Sequence, residues 1–143
     1  MALVVDDHLL VDLLADNPSD WLRGELDRSA VYTTPAWYHR VASAARRGSG
    51  TRTLSGRLTR LDPVQRDEVL ARIDRLPDWI GLVGPRLPIP VRASLETRRR
   101  PNVLAAEALA LALVTDGTIV VTVSSPLLRE GARDLGIIYR ETT

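Results

Sequence analysis

No cysteine occurs in the chain, so neither a disulfide framework nor a thiolate metal site is available to it. Lysine is absent too, and all 19 basic residues are arginine. Alongside abundant Ala, Leu and Val, that bias reads as GC-rich coding more than as selection for a chemistry. The formal net charge is only +1, so no global charge draws the chain to nucleic acid and any such binding must come from local clusters. Long apolar runs are missing as well. The most apolar stretch, Val103 to Val114, is interrupted by Glu107 and is too short to span a bilayer. The start, MALVVDDHLL, has no basic residue and meets a carboxylate pair at Asp6, unlike a secretory signal. A cytoplasmic protein without a membrane partner is the expectation.

What is present fits one domain spanning 1–143, long enough to bury roughly two-thirds of its unfolded surface. Leu3 to Val5 is a short apolar run ending at Asp6, which predicts a buried strand closed by carboxylates. Leu9, Leu10, Leu13 and Leu14 recur at helical spacing. Ser19 suits the N-cap of a second helix over Asp20–Arg28, with Trp21, Leu22 and Leu26 inward. A strand over Ala30–Thr33 and a helix from Pro35 to about Arg47 follow. Gly48 to Arg60 is rich in Gly, Ser and Thr without a clear period, which predicts a flexible loop.

Asp62-Pro63 restarts order as N-cap and first helical residue, with Val64, Leu70, Ile73 and Leu76 supporting the helix. Trp79–Val83 reads as a short strand. Pro85, Pro88 and Pro90 lead to a helix over about Val91–Arg99. The most regular helix runs over Val103–Val114 and is stopped by Gly117. A β-branched strand over Thr118–Val123, a helix from Pro126 to Gly136 and a strand over Ile137–Tyr139 complete the chain. Strands alternating with helices predict an α/β fold with a mostly parallel central sheet covered on both faces.

In such a sheet ligands gather at the carboxyl ends of the strands. Two predicted strands end there in polar residues, at Asp6-Asp7 and at Thr122 to Ser125. Converging carboxylates at that edge suit Mg²⁺ or Mn²⁺, hard ions that take oxygen ligands and activate water. Asp6 reads equally as the cap of the first helix. Asp7 reads as a solvated neighbour. Glu107, in an otherwise apolar helix, is either a site residue or a solvent-facing or ion-paired one. His8 and His39 match no metal spacing. Arg98, Arg99 and Arg100 form a basic run that could hold phosphates, and Arg46, Arg47, Arg52, Arg57 and Arg60 make a looser basic strip. Trp21, Trp37, Tyr38 and Trp79 read as core or dimer-interface residues.

Several segments together resemble the PIN domain family, including the VapC-type toxins of toxin–antitoxin pairs. VVDDHLLVDLLAD resembles the family's first strand and leucine-rich helix, with Asp6 at the position of a catalytic acid. TTPAWYHRVASAARR resembles the helix that carries a catalytic Glu, and Arg40 stands at that position. LAAEALALAL resembles the helix with an Asp before Ala-Leu, here Glu107. TIVVTVSSPLLREGARDLGI resembles the closing strand and helix with a Thr-x-Asp motif, where Thr122 matches and Ser124 replaces the Asp.

The resemblance implies a three-layer α/β/α sandwich of the PIN type. It also implies Mg²⁺- or Mn²⁺-dependent RNA cleavage with Asp6 and Glu107 as catalytic and metal-holding acids. Arg40 and Ser124 remove two of the family's acids, so activity and metal binding are expected to be weak or lost. The alternative is a non-catalytic PIN-like module binding RNA or protein, or a regulatory half of a toxin–antitoxin-like pair. Expected partners are RNA, a small antitoxin-like protein and a second copy in a homodimer.

Overall fold

The computed structural model describes residues 1–47, 52–83 and 102–142. The helix expected over Val91–Arg99, Pro85, Pro88 and Pro90, and Arg98 to Arg100 lie outside the described residues, as do the side chains of Arg47 and Arg52.

The strands are β1 (Ala2–Val5), β2 (Ala30–Thr33), β3 (Ile80–Leu82), β4 (Thr118–Val121) and β5 (Tyr139–Glu141). They form one sheet in the order β3-β2-β1-β4-β5, and every adjacent pair is parallel. The helices are α1 (Asp7–Leu14), α2 (Asp20–Leu26), α3 (Pro35–Arg47), α4 (Arg52–Thr59), α5 (Pro63–Asp74), α6 (Val103–Thr115) and α7 (Pro126–Leu135). The result is a three-layer α/β/α sandwich with a parallel sheet.

Side-chain alternation along the strands assigns the layers. Leu3 and Val5 of β1, Val31 of β2 and Val120 of β4 point to one face, where α1 to α5 supply Leu10, Leu14, Leu22, Val41, Leu54, Val69 and Ile73. Val4, Ile119 and Val121 point to the other face, against Ala105, Ala108, Leu109 and Ala112 of α6 and Leu128 and Ala132 of α7. Every residue of β1 is buried, as a central parallel strand requires. A Cβ on Gly131 would come within 2.7 Å of Leu109 Cδ1, so this glycine lets α7 approach α6 closely. Among the described residues no helix is long and apolar enough to cross a membrane.

Several local expectations are corrected. Residues Arg52–Thr59 of the expected 48–60 loop are helix α4, while residues 48–51 lie outside the described residues. Leu54 and Leu58, one turn apart, are both buried in the core, and two apolar anchors outweighed the Gly, Ser and Thr around them. In α5, Ile73 is buried and Leu76 packs against the core as expected, but Val64 and Leu70 are exposed and Val69 takes the inward place instead. Asp62 caps α5 through a reciprocal pair with Gln65. Trp21 and Trp79 are exposed, whereas Trp37 is buried. Strand β4 ends at Val121 and β5 begins at Tyr139, both later or shorter than the apolar runs suggested. Helix α6 ends on Asp116 in the left-handed conformation, not on Gly117.

Helix α4 gives a test with two signs. Leu54→Ala should cost about 2–4 kcal/mol, because the side chain is fully buried. Gly56→Ala should gain about 0.5–1 kcal/mol, since nothing lies within 4 Å of the added Cβ and alanine favours a helix interior. Urea unfolding of both variants checks this, and two near-zero values would contradict a packed helix here.

Candidate functional site

The sheet order places a topological switch point between β1 and β4. From β1 the chain builds β2 and β3 on one side, then crosses to build β4 and β5 on the other. Crevices of open parallel sheets lie at such a point, outside the carboxyl ends of the strands. A pocket of about 160 Å³ lies there, lined among others by Asp6, Asp7, His8, Trp37, Arg40 and Ser124. The expected convergence of the ends of β1 and β4 is therefore present, with Asp6 and Ser124 on one edge.

Asp6 follows the last residue of β1 and adopts an extended conformation as the N-cap of α1. Its Oδ1 accepts from Leu9 N–H at 2.9 Å, and its Oδ2 accepts from Thr122 N–H at 2.8 Å and from Thr122 Oγ1 at 3.1 Å. One carboxylate thus satisfies an orphan donor of α1 and fastens the chain just beyond β4. Asp6 is only 3% exposed. Burial is the largest influence on its carboxyl and raises its pKa from the usual 3.8, against the lowering effect of the Leu9 and Thr122 N–H bonds.

Asp7 is not the solvated neighbour expected from its position. It is 4% exposed, in the first turn of α1, and lines the pocket. Its Oδ1 accepts from His8 N–H at 3.0 Å. Its Oδ2 lies 3.2 Å from Arg40 Nε, an ion pair without an aligned hydrogen bond. Arg40, on α3, therefore points into the site and meets Asp7 there. Asp6 already accepts from three donors, and Asp7 is the acid whose Oδ2 has the Arg40 ion pair in place of a hydrogen bond.

Glu107 has a different task. Its Oε2 accepts from Ala36 N–H at 3.0 Å, in the first turn of α3. Thr34 Oγ1 accepts from Trp37 N–H at 3.1 Å in the same turn. Two acceptors therefore satisfy the N-terminus of α3, and a carboxylate is favoured there by the helix dipole. Glu107 is absent from the described residues that line the pocket. Ser124 lines it, yet its hydroxyl donates to Glu141 at 2.8 Å and accepts from Arg129 at 2.7 Å, in an exposed cluster.

The remaining candidates fall elsewhere. His8 is buried and lines the pocket, whereas His39 is exposed with Ser43 Oγ 3.3 Å from its Nε2. The basic strip is partly consumed by internal pairs: Arg57 grips both oxygens of Asp12 and Arg46 pairs with Asp74. That Asp12 bond is the largest cause of a raised Arg57 pKa. Sequence reasoning passed over Trp37 and Asn102 as pocket residues. Asn102 as cap of α6 and Ser125 as cap of α7 were discoverable, since in a parallel α/β fold helices that follow strands begin at the carboxyl edge.

Among the described residues the donor set does not fit the divalent ion implied by the resemblance. Asp6 spends both oxygens inside the fold, Asp7 faces a guanidinium, and Glu107 caps α3 away from the pocket. Among the described residues no group of three or more Asp, Glu or His is placed to hold a metal ion. A guanidinium at this distance repels a divalent cation. No family model matches the sequence, and no curated protein matches it.

The Asp6 geometry makes a pH-dependent prediction. A carboxyl whose folded-state pKa is raised binds its proton in the native state where the unfolded chain has lost it. Its contribution to stability is fully present below the unfolded value of 3.8 and is lost as pH rises through the folded value. Asp6→Asn removes that dependence and turns an amide NH₂ toward either Leu9 N–H or Thr122 N–H, at a cost of about 1–3 kcal/mol. The advantage of the wild type over Asp6→Asn, measured by urea unfolding, should therefore grow as pH is lowered from 7 toward about 4. A pH-independent difference would remove burial as the dominant influence on this carboxyl.

Proposed function

We propose that this chain is a PIN-like protein, related to VapC-type toxin ribonucleases, that binds RNA through the inherited fold without cleaving it. The observation that carries this reading is the charge balance around Asp6. Its two oxygens hold α1 and the end of β4, and the neighbouring acid faces Arg40. A hydrolytic site of this class needs carboxylates free to hold an ion that activates water. This pocket offers hydrogen-bonding groups and an aromatic wall, which suit binding better than hydrolysis. In this reading the protein works in the cytoplasm, as a homodimer or with a small antitoxin-like partner.

The test separates binding from cleavage. Purified protein should retain single-stranded RNA on a filter with an affinity that falls as salt rises. The same RNA should stay intact over hours with Mg²⁺ or Mn²⁺. Brisk Mg²⁺-dependent cleavage that Asp6→Asn abolishes would overturn the proposal, and so would the absence of any RNA retention at low salt.

A further inference from the structure

Two adjacent carboxylates, Asp6 and Asp7, are buried to 3% and 4% exposure at the floor of one pocket. Burying even one such charge is costly unless it is paired or hydrogen-bonded. Asp6 is stabilised by the N–H groups of Leu9 and Thr122 and by the field of His8, and Asp7 disfavours its charge. Arg57 also acts on both acids through space, but its guanidinium is held by Asp12. Among the described residues the cation in contact with the pair is Arg40, with Nε 3.2 Å from Asp7 Oδ2 and a side chain that is 31% exposed.

From this arrangement we infer that Arg40 is a tethered counter-cation: its guanidinium supplies the positive charge that this carboxylate pair needs, and so makes the folded state independent of a divalent ion. The inference does not depend on what the protein binds. It explains why an arginine is tolerated against a carboxylate whose Oδ2 receives no aligned hydrogen bond. What Asp7 takes from Arg40 is charge more than a directed bond, and a small cation could supply charge equally well. Removing the guanidinium leaves Asp7 uncompensated beside Asp6 in a water-accessible pocket, a setting that attracts a hard divalent ion. The wild type has no such deficit, because the charge is already on the chain.

The experiment is thermal unfolding of chelator-treated protein in millimolar MnCl₂ and in NaCl of equal ionic strength. Three proteins are compared: wild type, Arg40→Met, and Arg40→Met combined with Asp7→Asn. Wild type should melt at one temperature in both salts. Arg40→Met should melt roughly 5–10 °C lower in NaCl, as expected for breaking a largely buried pair, and should recover at least half of that in MnCl₂. The double variant should regain stability in NaCl and ignore Mn²⁺. If Arg40→Met does not fold in NaCl, recovery of its circular dichroism on adding Mn²⁺, or on adding Asp7→Asn, carries the same support. An Arg40→Met protein as stable as wild type would overturn the inference. So would an equal Mn²⁺ effect on wild type, a Mn²⁺ effect that survives Asp7→Asn, or no recovery by either route.

Discussion

The hydrogen bonds of Asp6 are the constraint on which the rest of this structure turns. The sheet is built outward from β1, and its two halves meet at the β1–β4 pair. At the carboxyl end of that pair, one buried carboxylate accepts from Leu9 of α1 and from Thr122 beyond β4. Backbone contact runs through the same corner, since Asp6 N–H donates to Val120 O at 3.2 Å. An aspartate here is worth more than an ordinary helix cap, because one of its donors, Thr122, lies 116 residues away along the chain. Its removal would leave the N–H groups of Leu9 and Thr122 unpaired.

The other acids of the edge are organised by the same electrostatic logic. Helices α6 and α7 begin at this edge, as their caps Asn102 and Ser125 in the pocket lining record. The N-terminus of each helix carries partial positive charge. Asp6 accepts from α1, Glu107 from α3, Asn102 from α6 and Ser125 from α7. The carboxylate of Glu107 crosses between helices to do so, which couples α6 to α3 through one side chain. Polar residues that look like a dispersed active site in the sequence thus become the end-caps of the layers around the sheet.

The sequence carried the fold well and the site only in outline. Alternation of β-branched runs with helical leucines placed β1, β2 and β4 and the helices between them, because burial on both faces leaves a continuous apolar signature. Local periodicity did not find α4, whose two buried leucines sit among residues with loop-like composition. Nor could it orient α5, where Val64 and Val69 are equally apolar and only packing chooses the inward one. For the site, adjacency of Asp6 and Asp7 was visible but their burial was not. Whether a carboxylate faces solvent depends on how the following helix docks, and that is tertiary information. The partner of Arg40 was illegible for the same reason: a helix residue can reach either of two neighbouring acids, and the choice follows from which oxygens the backbone has already taken.

An acid at the end of a central parallel strand is therefore weak grounds for metal chemistry when taken alone. The place attracts carboxylates for structural reasons, since a helix N-terminus begins there with orphan N–H groups. The same residue can cap a helix and ligate an ion, because each carboxylate oxygen has two lone pairs. What separates the two cases is the balance of charge around it. Several acids with no fixed cation demand an ion from solution. Two acids with a guanidinium 3.2 Å from one of them, and backbone donors on the other, have most of that demand met by the chain itself. The position of Arg40 on α3 thus weighs more in reading this pocket than the presence of Asp6, although Asp6 is the residue that first draws attention in the sequence.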